Sequence, residues 1–288
     1  MSEMSKQRAY ADLLWVVESP PLLATSSLQF KISEQEKLLL PEKIAQWLNS
    51  EEGVAFLEKK IPRRLGRYFE DLFAIILELL FVGAKIIRGI QMMHGKETIG
   101  ELDFVIESEN SIYHIETSVK FYLCQNLRGE MSDFVGANKR DRLDIKYHKI
   151  IDQQLINQGD KSVAFSSRQF FVKGRLFYPW SHRDAVIVCH EKIDKNHLCG
   201  WWVALKDLPK ILNVHHDAVF YITLNRNEWL TNAKFLADSE RLKNVASLGE
   251  IDLSEPVMIA LLSAEKTEIE RCFLVLDNWQ TSPEDLKC

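Results

Sequence analysis

GELDFVIESENSIYHIETSVKFYL, residues 100–123, decides how the chain is read. LDFVI (102–106) and IYHIETSVKFYL (112–123) are rich in β-branched and aromatic residues, with polar groups interleaved at the period of a β-strand. Between them Ser108-Glu109-Asn110-Ser111 is a polar turn, so the stretch reads as two strands folding back on each other. Alternation then sorts the side chains. Leu102, Phe104 and Ile106 point one way and Asp103 the other. On the second strand His114, Glu116, Ser118 and Lys120 share one face, and Tyr113, Ile115, Thr117 and Val119 share the opposite, apolar one. If the strands pair across the turn, Asp103 and Glu116 converge. Two carboxylates with a lysine nearby suit Mg²⁺ or Mn²⁺, hard cations that take oxygen ligands. Such an ion activates water and neutralises a phosphate, and a lysine stabilises the developing charge.

Working outward, residues 8–18 and 33–49 read as helices, the second opening on a capping box of Ser33 and Glu36, and 51–60 as a third. Pro62 opens a longer helix of about 20 residues, RRLGRYFEDLFAIILELLF, which carries Glu70 and is followed by Gly83 as a left-handed cap. Residues 84–93 form a strand. Asn138 begins the helix NKRDRLDIKYHKIIDQQL, and 168–178 is a further strand. Residues 62–178 thus spell helix, three strands, helix, strand. The expected fold is α/β: a mixed sheet flanked by helices over 62–178, after a helical N-terminal segment (1–61) and before a strand-rich C-terminal region (179–288). That last region holds AVIVCH, GWWVAL, AVFYITL, PVMIALL and RCFLVL, with short helices near 206–213 and 228–237. No linker separates it, so it is expected to pack on the core.

With 288 residues, 46% hydrophobic and 27% charged, the chain has a globular composition and can bury a full core. A net charge of −5 excludes a polybasic protein but not a local basic cleft. Basic groups do concentrate. Residues 59–70 are net +4, 137–150 net +3 and 161–183 net +5, whereas 228–288 is net −6. Arg142, Lys146 and Lys149 stand at i, i+4 and i+7 and so share a helix face. With Arg63, Arg64 and Arg67 they are candidates for contact with a DNA backbone. The five cysteines are widely spaced with no C-x-x-C, which favours a reducing compartment. No leader-like segment opens the chain, and Leu72–Val82 is too short and too interrupted by Glu78 to span a bilayer. The reading is cytoplasmic, with no membrane partner. Cys189, His190, His197 and Cys199 bracket a turn, but the spacing is not that of a zinc site, and Cys189 reads as core. Trp180, Trp201, Trp202 and Tyr178 offer base-stacking surfaces, though strand aromatics are mostly core. Phosphate-binding glycine loops and a serine elbow are absent.

The order of elements, with Gly100-Glu101-Leu102-Asp103 on the second strand and Glu116 then Lys120 on the third, resembles the PD-(D/E)XK nuclease superfamily, the restriction-endonuclease-like fold. More narrowly, WVVESPPLL, RLGRYFEDL, GELDF, HIETSVKFYL, RDRLDIK, GWW and FLVLDNW resemble an uncharacterised bacterial family described as domain of unknown function 1853. The superfamily resemblance implies a Mg²⁺- or Mn²⁺-dependent phosphodiesterase acting on DNA. Asp103 and Glu116 match its two motif carboxylates, and Glu70 matches the helical acid that several branches use to bind metal or hold a water. The metal set is then Asp103, Glu116 and Glu70, and the catalytic set Glu70, Asp103, Glu116 and Lys120. The match departs in one place. The motif lysine should stand two residues after the Glu, where this chain has Ser118. Lys120, about 6.6 Å further along the same face, is the first substitute and Lys146 the second. The alternative implied by Ser118 is an inactive nuclease-fold protein that binds nucleic acid or a protein partner.

Overall fold

In a computed structural model, which describes residues 3–24, 26–94, 97–156, 165–182, 189–238 and 240–279, the deciding stretch is a hairpin. Helices α1 (Glu3–Glu18), α2 (Glu34–Trp47), α3 (Glu51–Glu58) and α4 (Leu65–Leu80) come first. Strands β1 (Lys85–His94), β2 (Glu97–Ser108) and β3 (Ser111–Cys124) follow, then the short β4 (Phe134–Gly136) and α5 (Leu143–His148). A π-helical stretch, Lys149–Ile156, continues α5 and leads to β5 (Ser167–Pro179). The remainder is β6 (Leu198–Ala204), α6 (Leu208–Leu212), β7 (Phe220–Leu224), β8 (Lys243–Asn244), β9 (Val257–Leu262) and β10 (Glu268–Val275). The architecture is mixed α/β, helical at the N-terminal end and rich in strands at the C-terminal end.

One ten-stranded sheet unites the described strands, in the order β1-β2-β3-β5-β6-β10-β9-β7-β8, with β4 also paired to β3. The hairpin runs antiparallel, β3 to β5 to β6 to β10 are parallel, and β9, β7 and β8 close the edge antiparallel. The C-terminal strands extend the sheet that the hairpin begins. Strand parity divides the core between the two faces. Helices α1, α2 and α4 cover the face bearing Phe104, Ile115, Phe171 and Phe273. Phe73 of α4 stacks on Phe171 at 4.3 Å and meets Phe104 edge-on at 5.4 Å. The opposite face carries Tyr122, Phe170, Val172 and Leu176 under α5, and Ile259, Leu261 and Leu274 under α6. A buried polar link ties α1 to α4 and to the C-terminal half of the chain. Asp12 of α1 accepts from Tyr68 Oη of α4 at 2.7 Å and from Thr231 Oγ1 at 3.0 Å.

Several sequence expectations hold in detail. Ser33 and Glu36 form the reciprocal capping box, and Gly83 takes φ 83° past the end of α4. Others shift. Helix α4 starts at Leu65 rather than Pro62, with Arg64 as its N-cap, so Arg63 and Arg64 lie exposed ahead of it. The helix expected from Asn138 starts only at Leu143. Residues 136–142 instead form a turn, fixed by Gly136 N–H donating to Asp141 O at 2.7 Å, by a bridge between Val135 and Arg142, and by positive φ at Lys139. Local helix propensity loses there to pairing with the short β4. The expected helix at 228–237 is two 3-10 turns, Arg226–Glu228 and Ala233–Phe235. The strand expected from AVIVCH falls mostly on 183–188, outside the described residues. Among the described residues no helix is long and apolar enough to cross a membrane.

Candidate functional site

Beyond the paired residues Phe104 and Ile115, β2 leaves β3 and continues only with β1 as a two-stranded ribbon. A cleft of about 540 Å³ opens at this fork, lined by Glu70, Asp103, Thr117, Lys120, Lys146 and Gln154 among others. Asp103 and Glu116 are the first residues past the last rung. They extend from adjacent strands on the same sheet face, the face turned away from the α4 core and toward α5. The Asp103 carboxylate accepts the Thr117 N–H at 2.8 Å, and the charge of Glu116 acts on it.

Both carboxyls are displaced upward. Burial, and then the charge of Glu116, pushes Asp103 to about 7. Burial also pushes Glu116 to about 7. Two carboxylates this close cannot both hold full charge cheaply, so a proton shared between them is favoured near neutral pH. Glu116 is 1% exposed. One of its oxygens is 2.7 Å from Nε2 of His114, itself fully buried, and the other accepts from the Gln154 amide. Burial, and then Arg168, lowers the His114 imidazole to about 4, so the ring that faces Glu116 is neutral.

Basic groups face this pair unequally. Lys146 and Lys149 line the cleft, and the charge of Lys146 acts on both carboxyls. Burial, and then neighbouring Lys120, lowers the Lys146 ammonium from its ordinary value. Lys120 also lines the cleft, but its ammonium is held by Asp141, which accepts from Tyr122 Oη at 2.9 Å as well. Glu70 reaches the cleft from α4. It is bridged to Arg67 at 3.2 Å and raised by burial and by the charge of Asp103. It does not complete a three-ligand group with the pair. Among the described residues no cluster of three or more His, Cys, Asp or Glu side chains is arranged to hold a metal ion. Of the other basic candidates, Arg63 and Arg64 are exposed. Arg142 precedes α5 and grips Asp144 with two hydrogen bonds of 2.6 and 2.9 Å, so it does not share the helical face of Lys146 and Lys149.

His114 was not among the sequence candidates, although strand parity, which sets it two residues before Glu116 on the same face, is a signal that could have found it. Gln154 had no such signal. The π-helical stretch sets its phase: Ile150 and Leu155, five apart, both pack inward, and this turns Gln154 toward the sheet. At the second sequence candidate, Tyr178 Oη stands between Cys189 Sγ at 3.2 Å and His197 Nε2 at 2.8 Å, so a phenol occupies the centre of that group. The aromatics considered for base stacking are core instead. Tyr178, Trp180 and Trp202 are buried, and Trp202 Nε1 donates to Cys124 O at 2.8 Å.

No curated protein and no solved structure matches the chain. A family model does match, over residues 11–275, covering the helical N-terminal part, the forked hairpin with its carboxylate pair, and nearly all of the C-terminal strands. The chain therefore belongs to the family described as a domain of unknown function, DUF1853.

Proposed function

We propose that the cleft hydrolyses phosphodiester bonds in DNA with the help of Mg²⁺ or Mn²⁺, in the manner of the PD-(D/E)XK nucleases that the strand order and motifs resemble. The observation that carries this reading is the Asp103–Glu116 pair. It is built at a fork between strands, displaced upward by burial and, at Asp103, also by the charge of Glu116, and faced by the Lys146 ammonium. Two buried carboxylates that share a proton fit a divalent cation, because the ion replaces the proton and relieves the repulsion. Asp103 and Glu116 would hold it. When bound, the ion supplies Lewis acidity and charge neutralisation at the phosphate.

The protein's own groups do the rest. His114 and Gln154 fix the orientation of Glu116. Lys146 meets charge developing on the phosphate, the role that the sequence offered first to Lys120; in the fold Lys120 is committed to Asp141. Lys149 at the cleft and exposed Arg63 and Arg64 contact the DNA backbone. A cytoplasmic location suits such a substrate. The test is cleavage of single-stranded, duplex and branched DNA with Mg²⁺ or Mn²⁺. Asp103→Asn and Glu116→Gln should each remove most activity, EDTA should stop it, and Lys146→Met should cost more than Lys120→Met. A wild-type protein inert on all three substrates with both metals refutes hydrolysis.

A second reading, an inactive nuclease-fold protein that binds nucleic acid or a protein partner, is favoured by Ser118 at the lysine position and by the burial of Glu116 with both oxygens engaged. It predicts salt-sensitive DNA binding that persists without cleavage.

A further inference from the structure

The expected third metal ligand, Glu70, is tied to Arg67, and the carboxylate pair lacks a third acidic partner among the described residues. Gln154 lies against this pair. Its Nε2 donates to Glu116, it lines the cleft beside Asp103 and Lys146, and its Oε1 is a buried acceptor with no hydrogen-bond donor. An orphaned buried carbonyl oxygen is costly unless something positive satisfies it. The two ends of a primary amide have nearly the same shape, so a half-turn of the terminal torsion exchanges them. In that turned state Oε1 joins the oxygens of Asp103 and Glu116 as a third acceptor, an arrangement that a divalent cation stabilises. Amide carbonyls are accepted ligands of hard divalent ions.

We infer that Gln154 is a switchable third oxygen ligand of the cation site. Without the ion its N–H restrains Glu116, and with the ion its carbonyl oxygen turns to coordinate it. The inference rests on the proposed cation site and adds a ligand that no acidic motif announces. It also assigns a purpose to the π-helical turn, which brings Gln154 to the pair.

Mn²⁺ binding, followed by the electron paramagnetic resonance signal of free Mn²⁺ in the absence of DNA, tests this apart from activity. Gln154→Leu should weaken Mn²⁺ binding by about tenfold or more, with an unchanged circular dichroism spectrum. Gln154→Glu is the sharper variant, because it removes the N–H donor and supplies another oxygen. A ligand role predicts Mn²⁺ affinity equal to or tighter than wild type. A role limited to donating a hydrogen bond to Glu116 predicts weaker binding. If Gln154→Glu binds more weakly than wild type, or if Gln154→Leu binds as well as wild type while Asp103→Asn has lost binding, Gln154 is not a ligand and the two-carboxylate site survives. If wild type binds no Mn²⁺ at millimolar concentration, the cation site and the inference fall together.

Discussion

Asp103→Asn should make the metal-free protein more stable while it abolishes metal binding. Asp103 titrates near 7 in the fold rather than at 3.8. At about 1.4 kcal/mol per pH unit, the folded state disfavours its charged form by about 4 kcal/mol. Asparagine keeps a carbonyl oxygen for the Thr117 N–H and removes both the buried charge and its repulsion with Glu116. Water entering the open cleft screens part of the effect, so a gain of about 2–4 kcal/mol at pH 8 is expected. The sign follows from linkage. The folded value lies above the unfolded one, so the penalty is absent well below pH 4, grows as the pH rises toward 7 and is constant above that. The gap between variant and wild type should therefore shrink to about 1 kcal/mol at pH 4.5. Urea unfolding in EDTA at the two pH values measures it, and added Mn²⁺ should stabilise wild type but not the variant. A variant less stable than wild type at pH 8, or a gap independent of pH, would show that burial of the pair is not what sets its ionisation.

Other consequences are checked as readily. Gly174 of β5 has φ 151°, and a Cβ there would sit 1.8 Å from the Lys120 carbonyl oxygen of the neighbouring β3, so Gly174→Ala should cost about 3 kcal/mol or more in denaturant unfolding; an unchanged midpoint would sink this. Asp12→Ala strands the buried hydroxyls of Tyr68 and Thr231 and should destabilise by about 3 kcal/mol. Asp12→Asn, which keeps an acceptor and discards a carboxyl whose pKa burial raises to about 6, should be at least as stable as wild type at pH 7 and should flatten the loss of stability as the pH rises from 4 to 6. DNA binding should weaken with salt by a logarithmic slope of about 0.9 per phosphate contact. Arg63→Ala or Lys149→Ala should each lower the slope by about that much, while Arg142→Ala, whose guanidinium is occupied by Asp144, should leave it unchanged in a fluorescence titration.

Residues 100–123 were legible in the sequence because strand parity is local. Two-residue alternation puts Asp103 and Glu116 on one face whatever surrounds them, and the polar turn fixes the register that brings them together. The capping box at Ser33 and the cap at Gly83 were legible for the same reason, since each depends on a few adjacent residues. Other features depended on contacts distant in sequence. Lys120 shares a face with Glu116, as alternation requires, yet its ammonium goes to Asp141 because the turn at 136–142 folds that carboxylate over β3. The same turn delays α5 to Leu143, which takes Arg142 off the helix and leaves Lys146 facing the pair. Gln154 is invisible in sequence because its direction depends on a π-helical phase that packing of Ile150 and Leu155 against the sheet selects. Sequence alone determined the hairpin strands, their faces and the two carboxylates, through short-range periodicity and turn chemistry. Which ammonium meets those carboxylates, and which amide holds one of them, was decided by tertiary packing, because a long flexible side chain goes to whichever partner the surrounding elements bring within reach.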